Sequence, residues 1–112
     1  MNTTPSTTVP PPERLPILHH VKCWPDLFQA TLDGMKTFEF RKNDRDYRTG
    51  DFIMLHEWSP RTEEYTDRKF SIRIGFMLTG MGVPEGWCVF AIHPAEIPAR
   101  VVKTAMEAER ER

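Results

Sequence analysis

The fold turns on residues 33–51, DGMKTFEFRKNDRDYRTGD. Phe38 and Phe40 lie inside a run crowded with charged side chains. A solvated loop has no use for two phenylalanines, and a buried strand does not ordinarily hold Glu39, Arg41 and Lys42. Alternation offers a way out, because successive side chains of an extended chain point to opposite faces. The spacing predicts a strand over 36–41. Phe38 and Phe40 are expected to face the core, with Thr37, Glu39 and Arg41 on the other face. A polar connection follows over 42–51, with Gly50 marking its turn.

Upstream, WPDLFQATLDG reads as a short helix. Pro25 suits a first helical turn, where its missing N–H removes no bond, and Asp26 complements the dipole there. Gly34 fits the position just past the helix end. Before it, PILHHVK alternates as a strand, with Ile17, His19 and Val21 on one face. Downstream, DFIMLHEW predicts a strand with apolar residues on both faces at its start. SPRTEEYTDR carries turn signals and reads as a hairpin loop. KFSIRIGFML places Phe70, Ile72, Ile74 and Phe76 inward. After the glycine-rich TGMGVPEG, WCVFAIH leaves little exposed face and is expected to be central. The fold class that results is α+β: a small mixed barrel of five or six strands with one or two short helices, closure removing exposed edges.

The ends differ from this middle. Residues 1–15 are rich in Thr and Pro and are expected to be disordered; residues 94–112 form a charged tail with helical propensity, in which Val101, Val102, Ala105 and Met106 make a narrow apolar stripe. The ordered domain is expected over 16–93. A formal net charge of −1 excludes a global basic field, so any nucleic-acid contact must come from a local patch. Two cysteines, Cys23 and Cys88, make no disulfide framework and no zinc spacing, and are expected to be reduced. No apolar run is long enough to span a membrane, and the first residues lack a signal-peptide segment, which predicts a cytoplasmic protein with no membrane partner.

There is no Walker or Rossmann phosphate loop and no nucleophile elbow. His19 and His20 point to opposite sides of a strand, and His56 and His93 lack a shared spacing, so no metal site and no cofactor are expected. Around the central strand, Lys36, Arg41, Lys42 and Arg45 supply donors while Glu39 and Asp44 supply acceptors. That mixture suits the edge of a base or nucleoside, whereas a purely polyanionic ligand would call for cations alone. Trp24, Tyr47, Trp58 and Trp87 are available for stacking, with Trp87 expected in the core.

The segment LDGMKTFEFRKNDRDYRTGDFIML resembles the signature of the activating-signal-cointegrator homology (ASCH) domain, matching at Gly34, Lys36, Thr37, Glu39, Arg41, Gly50 and Asp51. The longer pattern over 17–92 is similar to an uncharacterised bacterial and phage branch of that superfamily. The resemblance implies a PUA-like barrel and a cleft for RNA or a modified nucleotide that includes Lys36, Glu39 and Arg41. One enzymatic branch deacetylates acetylated cytidine with a lysine, a threonine three positions later and a downstream glutamate. Lys36 matches the lysine, but Glu39 stands at the threonine position; Glu57 and Glu85 follow in order only. The residue pattern and the resemblance together point first to an RNA- or nucleoside-binding module with Lys36, Glu39, Arg41, Lys42, Asp44 and Arg45 as ligand contacts. The alternatives are an acylated-nucleoside amidohydrolase using Lys36 and Glu39, and a phage-type protein-interaction factor.

Overall fold

The computed structural model describes residues 15–101. The expected N-terminal tail up to residue 14, and Val102, Ala105 and Met106 of the C-terminal stripe, lie outside the described residues. Six elements follow one another: β1 (Leu18–Cys23), α1 (Pro25–Leu32), β2 (Phe38–Lys42), β3 (Phe52–Ser59), β4 (Glu64–Leu78) and β5 (Trp87–Pro94). The strands form one mixed sheet in the order β1-β3-β4-β5-β2, curled into a half-barrel. Only the β1–β3 pair is parallel, which requires the long connection through α1 and β2. Mostly strand with one short helix, this is a small α+β barrel-like fold.

Helix α1 starts and stops where the local chemistry says it should. Pro25 occupies its first turn. At the other end Gly34 adopts φ 78°, and the N–H groups of Gly34 and Met35 donate to the carbonyls of Thr31 and Ala30. That is a Schellman stop, and it needs a residue that accepts a left-handed conformation. The helix buries Thr31 and Phe28, and Phe28 joins the core formed by the strands.

The principal core is built from inward positions of β1, β3, β4 and β5, with Ile53, Leu55, Ile72, Ile74 and Cys88 fully buried. Both cysteines are free thiols in that core. A smaller cluster on the other face explains why β3 begins apolar on both sides: Leu18 and Phe52 pack there with Val101, Ala95 and Ile97. Residues 95–101, read from sequence as tail, therefore lie against the sheet.

Two irregularities change the expected strand faces. Between Ile74 and Met77 the β4–β5 register shifts by one residue. The bulge reverses the alternation, so Met77 packs against the core while Phe76, expected inward, is 76 % exposed. The β3–β4 connection is also shorter than predicted. The turn occupies 60–63, Glu63 donating its N–H to the Ser59 carbonyl at 2.7 Å, and EYTDR already belongs to β4. A second bulge at Asp67, which has φ 74°, directs Thr66 and Arg68 onto Glu57.

Candidate functional site

The sheet does not close through strand pairing. β1 and β2 are its two edges, and a cleft of about 690 Å³ opens beside them, lined by Lys22, Cys23 and Trp24 from one side and by residues of β2 from the other. The Arg41 guanidinium spans the gap, its Nη2 donating to the Lys22 carbonyl at 3.2 Å. A side chain stands here in place of a backbone rung.

The β2–β5 register decides which side chains face this interior. Glu39 lies opposite Phe90 and Arg41 opposite Cys88, and both partners are core residues. Directly opposed residues share a face. Glu39 is therefore turned inward and is 4 % exposed, while Phe38 and Phe40 are each 49 % exposed. This inverts the expected faces of the strand. Pairing with β5 sets these faces, and the inward charges offset the cost of their burial by pairing with one another at the wall of an open cleft.

The inward carboxylate is held at both oxygens. Lys36 Nζ donates to Glu39 Oε2 at 2.5 Å and Arg41 Nε donates to Oε1 at 2.6 Å. Lys36 Nζ also donates to the Phe38 carbonyl at 2.6 Å, which fixes the ammonium over its own strand. Burial alone would draw the Arg41 guanidinium down, but the Glu39 charge, Tyr47 and the hydrogen bond to Glu39 together outweigh it and hold Arg41 above its ordinary value. Burial, helped by Glu39, pushes the Cys23 thiol up to about 11. Burial likewise raises the Tyr47 phenol, against the opposing pull of Arg41 and Arg45.

All six side chains predicted as ligand contacts, Lys36, Glu39, Arg41, Lys42, Asp44 and Arg45, line this one cleft. The aromatic forecast fares unevenly. Trp24 lines the cleft and is 54 % exposed. Tyr47 lines it from a buried position, its ring against His19 and Phe90. Trp87 is half-buried, lines the cleft and stacks on Phe40 with ring centroids 5.0 Å apart, so it is a wall and not a core residue. Trp58 lies outside the lining, under the Lys22 ammonium. Neither Glu57 nor Glu85 lines the cleft. Phe38 and Phe40, expected in the core, line the cleft instead, and Cys23 joins them with no signal in the sequence beyond its residue type.

Behind the cleft, Asp51 ties the fold together. Its carboxylate accepts from the backbone N–H groups of Ile17 and Arg48 and from His19 Nε2, the last at 2.8 Å. His19 is thereby structural, and its ring packs on Tyr47 at 4.8 Å. On the opposite side of β1, His20 and His56 meet, Nδ1 to Nε2 at 2.8 Å. Sequence spacing could not show this pairing, because it comes from the parallel register of β1 and β3. No group of three or more potential metal ligands occurs among the described residues.

Residues 18–92 match the family described as Domain of unknown function (DUF3850). The chain belongs to this family. The match covers all of the first four strands and helix α1 and most of β5, and so includes the whole β2 segment that builds the cleft. The chain is also similar to an uncharacterized 12.9 kDa protein in the GpA 3′ region of Escherichia phage P2, at 44 % identity over 57 residues. That similarity covers 51 % of this chain and 50 % of the relative, so the chain spans about half the length of the curated relative it matches. No helix among the described residues is long and apolar enough to cross a membrane.

Proposed function

We propose that this protein is an ASCH-type, PUA-like module that binds RNA or a modified nucleoside in the cleft between β1 and β2. The observation that carries the reading is the convergence of six donor and acceptor side chains with Trp24 and Trp87 on one cleft. A base needs a flat apolar surface and hydrogen-bond partners of both kinds, and this lining offers both. Glu39, held by two cations, would accept from a base amino group. Arg41 and Lys36 would donate to a base carbonyl or a phosphate, and Lys42 and Arg45 would steer the backbone. Two buried free thiols accord with a reducing compartment, and we place the protein in the cytoplasm.

The deciding experiment is a titration of RNA and nucleosides against wild type, Arg41→Ala and Glu39→Gln, with folding checked for each. Loss of affinity in both variants is expected. Equal affinities for wild type and Arg41→Ala would remove Arg41 from the site.

The short Lys36–Glu39 contact favours a second reading, an amidohydrolase on an acylated nucleoside. Glu39 would take a proton from water as it attacks the amide carbonyl and return it to the leaving amine, releasing acetate and the free nucleoside. Here acetate release should vanish in Lys36→Ala and Glu39→Gln. A panel of acetylated nucleosides that yields no acetate with wild type would end this reading.

A further inference from the structure

A second depression, about 450 Å³, is lined by Asn43, Thr79, Gly80, Val83, Pro84, Glu85, Gly86 and Trp87. Trp87 lines both it and the first cleft, so the two hollows share one aromatic wall. The sequence passes between them in a single step of the chain: Lys42 lines the first, and the next residue, Asn43, lines the second. Lys42 also lies directly opposite Trp87 in the β2–β5 ladder. A cation therefore stands at the junction of two sites.

The second hollow differs from the first in charge. Its lining contains no Lys or Arg, and Glu85 is its one ionisable member. Phosphate would be repelled there. A neutral planar group between Trp87 and the apolar Val83 and Pro84 would not be. The loop that forms the hollow is tied down before any ligand arrives: Asn43 N–H donates to the Gly86 carbonyl at 2.8 Å, Val83 N–H to Gly80 at 2.9 Å and Trp87 N–H to Pro84 at 3.0 Å.

We infer that the site takes at least two consecutive nucleotides of single-stranded RNA, one base in the charged cleft, the linking phosphate at Lys42 and the next base in the loop hollow. The inference rests on the nucleic-acid reading above and names its substrate class: an oligonucleotide in preference to a free nucleoside. Stacking of a second base contributes about 1–3 kcal/mol, and 1.4 kcal/mol is about tenfold in affinity.

Isothermal titration with the four common nucleosides and a randomised RNA tetramer tests this. The tetramer should bind wild type at least about fivefold tighter than any nucleoside. Thr79→Phe, at an exposed position of the second hollow only, should bring tetramer affinity down to the nucleoside level while nucleoside binding persists. Lys42→Ala should weaken the tetramer severalfold more than the nucleosides, and serves as the test if Thr79→Phe does not fold. Equal wild-type affinities for nucleoside and tetramer would overturn the inference and leave the single-base reading standing. So would a tetramer affinity that both substitutions leave unchanged. If no probe binds at all, the inference falls together with the RNA half of the cleft's reading, and a modified nucleoside becomes the ligand to titrate.

Discussion

Glu39 on β2 and Glu57 on β3 are both buried carboxylates at inward strand positions, and each is clasped by two side chains, at least one of them a cation. Their clasps differ in where the donors come from. Glu57 accepts from Thr66 Oγ1 at 2.6 Å and from Arg68 Nε at 2.9 Å, across the β3–β4 hairpin. The same guanidinium reaches Gln29 of α1 at 3.0 Å and lies over the Phe28 ring, so it ties helix to hairpin. Glu39 is held by Lys36, just before its own strand, and by Arg41 on that strand, and Arg41 alone of the two reaches across to β1. One carboxylate joins elements of the fold. The other is kept charged at the wall of a cleft. Burial of a carboxylate in a cationic clasp therefore does not by itself mark a site; what the clasp faces does.

Removing the cation on each side should separate the two cases most strongly. Arg41→Ala leaves Glu39 buried beside one remaining cation and opens the β1–β2 gap, and should cost about 3 kcal/mol, read as a lower urea midpoint. Arg68→Ala exposes Glu57 to water that can replace the outward-facing guanidinium, so its midpoint should fall by clearly less. Equal losses would mean that the cleft charges are as structural as the hairpin knot.

Acid should act on the hairpin side next. Burial, the His20 charge and Lys69 hold His56 below its ordinary value of 6.5. The unfolded chain then binds more protons, so stability should fall as pH drops from 6.5 toward the folded value and level off below it. Hydrogen bonds from Arg68 and Thr66 hold Glu57 below its ordinary 4.5. Its contribution is present above 4.5 and should be lost as pH falls through the lower folded value. Thermal melts across this range should show both declines, with His56→Gln flattening the first and Glu57→Gln the second.

The smallest expected effect is on the cleft side. With its thiol near 11, Cys23 should resist alkylation in the native protein at neutral pH. Glu39→Gln removes one of the groups that raise it, and should speed alkylation modestly, measured by mass spectrometry under native conditions. An unchanged rate would show that burial alone controls this thiol.

Much of the architecture was legible in the sequence because it follows from local rules. Pro25 and Gly34 bracket α1 since one lacks an N–H and the other accepts φ 78°. Five strands appear where β-rich alternating runs predict them. The six polar residues of the candidate site could be picked out because donors and acceptors crowd one short segment, and they do line one cleft. The faces of β2 and of the end of β4 were less accessible. Phe76 is turned out by a bulge whose extra residue is defined only against β5. His20 and His56 meet only through the register of a parallel pair.

DGMKTFEFRKNDRDYRTGD contains both outcomes. By itself it determined that a helix ends at Gly34, that an extended segment follows, and that its side chains alternate between aromatic and charged. Which set turned inward was decided by pairing with β5, because Glu39 lies opposite Phe90 and Arg41 opposite Cys88. A one-residue change of register exchanges the two faces of a strand completely, and here the pairing with β5 overrides the face that the strand's own aromatic residues favour.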